Sequence, residues 1–247
     1  MDINLMVLNV GNSRTAVGIF VAGDLQHVAR VANDDKDKWP QVLRDAWEKI
    51  DAKENAAVAG ASVNPAVMEA LEHAVGQATG QKVEWIGRDI DLPIRVLTEP
   101  PSDTGVDRVC NVAAAYEQLG KACVVVDAGT AVTVDCCNDK GEFLGGAIAP
   151  GLALQLNALH DHTARLPLVE FAAPQGVFGR STKEAIRQGV FNGLRGMVKE
   201  VVENYATELG SWPELIATGG DATKLFDGWE LVHAISPDLT LYGAALA

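Results

Sequence analysis

The sequence predicts an α/β protein built from two similar domains. The first observation is a glycine turn that occurs twice, in Leu8-Asn9-Val10-Gly11-Asn12-Ser13-Arg14-Thr15 and in Val126-Asp127-Ala128-Gly129-Thr130-Ala131-Val132-Thr133. The second is its setting: each turn follows an apolar run that reads as a buried strand, and each leads into another strand. The third is what comes next, a polar turn (Ala22-Gly23-Asp24 or Asn138-Asp139-Lys140-Gly141) and a third strand. A unit used twice implies two related domains facing each other. The turns suit phosphate, because Gly lets backbone approach an anion while Asn, Ser and Thr add donors. Taken singly, each turn is equally a plain tight hairpin; as a matching pair they read as a phosphate clamp.

The elements follow in order. After the first three strands, Trp39 to Ile50 has helical spacing, with Trp39, Val42, Leu43, Ala46, Trp47 and Ile50 on one face. Asn55 to Ser62 is a short apolar run of small residues, a buried strand. Asn64-Pro65 opens a helix, Asn as cap and Pro at the first position, that runs to Gly76 or Gly80. Lys82 to Ile86 reads as a strand, and Asp89 to Asp103 as an irregular Pro-rich stretch. Gly105 to Leu119 is a helix ending at Gly120. Ala122 to Val126, Ala131 to Cys137 and Glu142 to Ile148 are the second trio of strands. Pro150-Gly151 breaks the chain before a helix through Leu159, and Ser181-Thr182-Lys183-Glu184 is a capping box that starts a long helix to Leu209. Glu214 to Ala217 is a strand, Gly219-Gly220 leads into a short helix, and Tyr242-Gly243-Ala244-Ala245 is a small-residue helix end.

Composition narrows the function. A chain of 247 residues, 48% hydrophobic, buries a sizeable core as one large domain or two small ones. Its net charge of −13 opposes nucleic acid or an anionic membrane as the main partner. A phosphate substrate must then rely on local donors and a cation. Cys110, Cys123, Cys136 and Cys137 form no CxxC pair, so they read as small core residues kept reduced in a cytoplasmic protein. The start has no basic-then-apolar pattern, so no signal peptide is expected. No apolar run nears the ~20 residues that span a bilayer.

Four segments carry candidate chemistry. The two turns are the first pair. Asp127 ends a run of five apolar residues, where an acid is costly unless it caps a turn or binds a cation. Asp107, in Thr104-Gly105-Val106-Asp107-Arg108, is either a helix-dipole acid or a base beside an anion-binding fork. Ile216-Ala217-Thr218-Gly219-Gly220-Asp221 is either a simple strand-to-helix turn or a place where a flat ligand lies close to backbone. His160 and His162 point to different sides of a helix with no acid or Cys cluster, which argues against a metal. There is no GxxxxGK[ST] loop and no GxGxxG.

Taken in order, these segments resemble the type III pantothenate kinases of the acetate and sugar kinase/Hsp70/actin superfamily. The matching pieces are Val10-Gly11-Asn12-Ser13, Gly105-Val106-Asp107-Arg108, Asp127-Ala128-Gly129-Thr130, Gly145-Gly146-Ala147-Ile148-Ala149-Pro150-Gly151, Ala164-Arg165-Leu166-Pro167, Ser181-Thr182 and Thr218-Gly219-Gly220. The resemblance implies two ribonuclease-H-like (actin-like ATPase) domains, 1–117 and 118–247, with mixed sheets flanked by helices and an ATP cleft between them. It implies a homodimer that phosphorylates the primary hydroxyl of pantothenate with magnesium-ATP, the first committed step toward coenzyme A. By the same resemblance Asp107 is the general base, and Gly105, Val106, Asp107 and Arg108 hold pantothenate, with Thr98 in the same loop. Thr182 contacts that substrate from the partner subunit. Asn9, Val10, Gly11, Asn12, Ser13, Arg14, Thr15 and Ala16 form the first phosphate turn, and Gly129 and Thr130 belong to the second. Asp127 binds a monovalent cation, potassium or ammonium, and Gly219 and Gly220 lie near the adenosine.

Two positions depart from the family pattern. The family's first turn normally begins with Asp, where this chain has the isosteric but uncharged Asn9. The family usually has Tyr seven residues before the Gly105 position, where this chain has Thr98. Two other readings follow from these changes: a nucleotide-binding regulatory protein that keeps the fold without turnover, and a kinase of another small hydroxyl compound.

Overall fold

The computed structural model describes residues 3–247. The chain divides into two compact units. One runs through Glu117 and includes Leu239–Ala247; the other is Gln118–Asp238.

In the first unit, β1 (Asn4–Val10), β2 (Arg14–Val21) and β3 (Asp24–Ala32) form an antiparallel meander. Ala22 and Gly23 join β2 to β3 with φ of 52° and 90°. Two successive left-handed residues match the twist of the strands they connect. After α1 (Trp39–Trp47), β4 (Ala56–Ser62) pairs parallel to β1; after α2 (Pro65–Thr79), β5 (Val83–Trp85) pairs parallel to β4. The sheet order is β3-β2-β1-β4-β5. The helix α3 (Val106–Leu119) ends this run.

The second unit repeats the plan. β6 (Cys123–Ala128), β7 (Ala131–Cys137) and β8 (Phe143–Pro150) form the meander. The helices α4 (Leu152–Asp161) and α5 (Thr182–Leu209) precede β9 (Glu214–Thr218), which pairs parallel to β6. Then come α6 (Ala222–Phe226) and the short β10 (Ala234–Ile235) parallel to β9; α7 (Leu239–Ala244), which follows, belongs to the first unit. The order β10-β9-β6-β7-β8 has the pairing pattern of the first sheet strand for strand. Both sheets are mixed and helix-flanked, because each parallel crossover must carry a helix over the sheet.

Alternation sets the two faces of the first sheet. Met6, Leu8 and Val10 pack with Trp39, Leu43 and Trp47 of α1 and Leu71 and Val75 of α2. Val7 on the other face packs with Phe20, Cys110 of α3, and Leu241 and Ala244 of α7. In the second unit, Val124, Val126 and Ala128 bury against Ile186, Val190, Leu194 and Val198 of α5.

The caps are those the sequence signals. The Asn64 side chain accepts from the Val67 N–H at 3.2 Å, and Gly80 closes α2 with φ of 72°. Ser181 accepts from the Glu184 N–H at 3.3 Å. The Glu184 carboxylate accepts from the Arg180 N–H at 2.7 Å, one residue before the partner a standard capping box uses.

Three details differ from the sequence reading. The helix from Trp39 ends at Trp47 and continues as turns that still bury Ile50 completely. Asp127 lies inside β6 rather than past its end, paired with Thr133 and Thr218. β7 carries the ladder two residues beyond the apolar run and β9 carries it one. The last helix, expected in a second domain spanning 118–247, packs with the first unit. Gly243 lies directly on the backbone of Cys110, where any side chain would collide, and Thr240 Oγ1 donates to Asn111 Oδ1 at 2.7 Å.

Leu194, 1% exposed in the middle of α5, tests the second core. Leu194→Ala is expected to lower the unfolding free energy by about 2–5 kcal/mol in urea titration. A loss under about 1 kcal/mol would mean that the α5 face is not packed as described.

Candidate functional site

Each unit places its glycine turn at the end of its first strand. In the first unit, Asn9 pairs with Ala16 on β2 and Ala61 on β4. The Gly11 N–H donates to the Arg14 carbonyl at 3.0 Å, closing the turn. Asn12, Ser13 and Arg14 are exposed, whereas Val10 and Thr15 are buried. Of the expected nucleotide contacts, Asn12, Ser13 and Arg14 therefore present side chains outward. Val10 packs into the core and Thr15 Oγ1 donates to Asn33 Oδ1 at 2.8 Å, so these two have only backbone to offer. Ala16 and Gly11 are half-buried.

Asn33 is a residue that sequence reasoning missed. It is 5% exposed, and its Nδ2 donates to the carbonyls of Gly11 at 2.8 Å and Asn12 at 3.1 Å. Its backbone N–H donates to the Ser13 carbonyl at 3.0 Å. The available signal was positional: Asn33 directly follows the third strand of its unit, as Gly151 does in the other.

In the second unit, the Gly129 N–H donates to the Ala131 carbonyl at 2.9 Å, and the Thr130 carbonyl accepts from the Gly151 N–H at 3.0 Å. A Cβ on Gly151 would collide with the carbonyls of both Gly129 and Thr130. Gly219, with φ of 94°, lies directly against the Asp127 carboxylate and the Ala128 carbonyl, leaving no room for a side chain. The Asp221 N–H donates to that same Ala128 carbonyl at 2.9 Å. The fold thus brings Asp127, Gly129, Thr130, Gly151 and Gly219 together. Gly219 stands on the side of the turn and its carboxylate, and Gly220 beside it faces open space. A cavity of about 270 Å³ opens next to Asp221, lined by Leu152, Leu156, Asn157, Val169 and Lys224.

The remaining candidates other than Thr182 lie at or beside the start of α3. Asp107 is half-buried in the first turn, and its Oδ1 accepts from the Arg108 N–H at 2.8 Å. A Cβ on Gly105 would stand 2.8 Å from the same oxygen, so glycine there lets the carboxylate fold back over the helix start. Burial raises the Asp107 carboxyl above its ordinary range, and the Arg108 amide and guanidinium oppose that shift. A carboxylate made more basic in this way is a better proton acceptor than a solvated one. Thr98 and Thr104 share a hydroxyl–hydroxyl hydrogen bond that ties the Pro-rich loop to the helix start. Thr182 is exposed at the first position of α5 in the second unit.

The chain is similar over nearly its whole length to known proteins. Residues 5–204 match the family model described as type III pantothenate kinase. A type III pantothenate kinase from Syntrophotalea carbinolica is 35% identical, over 97% of this chain and 96% of that protein. One from Moorella thermoacetica is 34% identical over 97% and 96% of the two chains. Among solved structures, a Baf family protein from Campylobacter jejuni superposes with a TM-score of 0.61 at 21% identity, covering 96% of this chain and 94% of that one. The activator of 2-hydroxyisocaproyl-CoA dehydratase from Clostridium difficile does so at 0.52 and 13%, covering 99% and 93%. These two likenesses concern the fold alone. With the matching family model and near-full-length relatives, the chain belongs to the type III pantothenate kinase family.

Proposed function

We propose that this protein transfers the γ-phosphoryl group of ATP to the primary hydroxyl of pantothenate, forming 4'-phosphopantothenate and ADP in the first step of coenzyme A synthesis. The observation that carries the reading is Asp107: a carboxylate made more basic by burial, at a helix start shaped by Gly105, in a chain of this family. In the proposed reaction Asp107 accepts the hydroxyl proton as the alcohol oxygen bonds to the γ-phosphorus and the bond to the ADP oxygen breaks. Phosphoryl transfer asks mainly for positioning and charge neutralisation. For positioning, each glycine turn offers backbone amides and small polar side chains suited to a phosphate. Arg108 would offer a fork to the pantothenate carboxylate, with Thr98 and Val106 beside it.

Magnesium would enter on the nucleotide and neutralise charge on its phosphate oxygens. The residues fit a cation held in that way. Among the described residues no group of three His, Cys, Asp or Glu gathers, so Asp127 would share its cation with backbone and phosphate oxygens. We assign Asp127 to potassium or ammonium. Thr182 is assigned to pantothenate across a homodimer. A cytoplasmic setting without nucleic acid or membrane partners completes the proposal, supported by the net charge of −13.

ADP release from magnesium-ATP should depend on pantothenate; release that ignores pantothenate, or none from protein that binds ATP, would overturn the reading. Asp107→Asn keeps the size and the acceptor for the Arg108 amide but takes no proton. It is expected to lower kcat by about 10²–10⁴-fold, with a melting temperature equal to or above wild type. The sign follows from the raised pKa. An unfolded Asp ionises near ~3.9, so between that pH and the higher folded value the native state loses stability as pH rises, and the loss persists above it. Asn escapes this. For the same reason kcat/KM of the wild type should fall on acidification through a midpoint above the ordinary carboxylate range; a flat acid limb would remove Asp107 as base. Rates should be higher in potassium or ammonium than in sodium, and equal rates in all three salts would count against the Asp127 assignment.

A further inference from the structure

We propose that Asn33, with Gly151 as its counterpart in the second unit, is a positioning residue for the nucleotide's phosphates; this rests on the kinase reading above. Asn33 directly follows β3 and Gly151 directly follows β8. Each N–H donates to the carbonyl of the last turn residue before the second strand, Ser13 or Thr130, at 3.0 Å in both units. The clamp therefore belongs to the repeated unit rather than to either local sequence.

The two units complete it differently. In the first, the buried Asn33 amide takes the other two turn carbonyls, those of Gly11 and Asn12. The two carbonyls set the amide's orientation, since a flipped amide would aim Oδ1 at both, and Thr15 Oγ1 holds it there by donating to Asn33 Oδ1. In the second, Gly151 can approach only because it has no side chain. The consequence is electrostatic. A phosphate is repelled by carbonyl oxygens and drawn to the opposite ends of the same peptides. Carbonyls of Gly11, Asn12 and Ser13 all bonded to one buried residue are turned away from an anion arriving at the exposed side of the turn.

The test is magnesium-ADP binding by calorimetry, together with KM for ATP and for pantothenate. Asn33→Asp keeps the shape and the Thr15 bond but replaces two donors with an oxygen facing two carbonyls. It is expected to weaken ADP binding and raise KM for ATP about tenfold or more, leaving KM for pantothenate unchanged. A purely structural residue would move both KM values together or the melting temperature alone, and either result overturns the proposal, as does unchanged ADP affinity. Should Asn33→Asp not fold, Thr15→Val decides: it removes the bond that holds Asn33 Oδ1 and so loosens the amide under the turn, which is expected to weaken ADP binding several-fold, and an unchanged affinity overturns the proposal. A wild type that binds ADP without pantothenate-dependent turnover would sink the kinase reading and leave the Asn33 measurement intact.

Discussion

The close approach of peptide to peptide around the polar turns is the constraint on which the rest of the site depends. In the second unit two chain segments reach the same turn from different directions. Gly151 arrives from the end of β8 and Gly219 from the end of β9. Both meet carbonyl oxygens at distances that leave no space for a Cβ, and Gly219 also adopts a left-handed φ of 94°. Only glycine satisfies both demands. The result is a turn held from two sides, with the Asp127 carboxylate pressed against it. An acid in such a place is costly by itself, which is why its position inside a fully paired strand matters: the ladder to Thr133 and Thr218 keeps it there.

The first unit reaches a similar end by side-chain chemistry. Asn33 contributes three donated hydrogen bonds to one turn and is buried while doing so. At the start of α3, Asp107 is held by a different set of contacts. Gly105 lets its carboxylate fold back, the Arg108 amide bonds it, and the helix behind it is braced by α7 through Thr240, Asn111 and the close contact of Gly243 with Cys110. Burial raises the carboxyl, which lowers native stability at neutral pH and makes the group a better base. In the proposed reaction, stability is given up where chemistry gains from it.

The sequence alone determined the repeated strand–turn–strand unit, the α/β class and most of the caps. These are local: alternation, helical spacing, Asn64-Pro65 and Ser181 act within a few residues of themselves. The turns and the Gly105-to-Arg108 stretch stand out locally as glycine beside small polar residues, whereas Thr98 is singled out only by the family resemblance. What only the tertiary structure decided depends on partners distant in the chain. The extension of β6 through Asp127 needs β7 and β9 beside it. The inward aim of Val10 and Thr15 is set by which face of β1 and β2 meets the core. The bond from Asn33 back to Gly11 closes across three strands, and α7 joins Cys110 and Asn111 from the far end of the chain. Local propensity carries no information about such meetings. They are settled by how whole faces bury against each other, and by which backbones can then come close enough to touch.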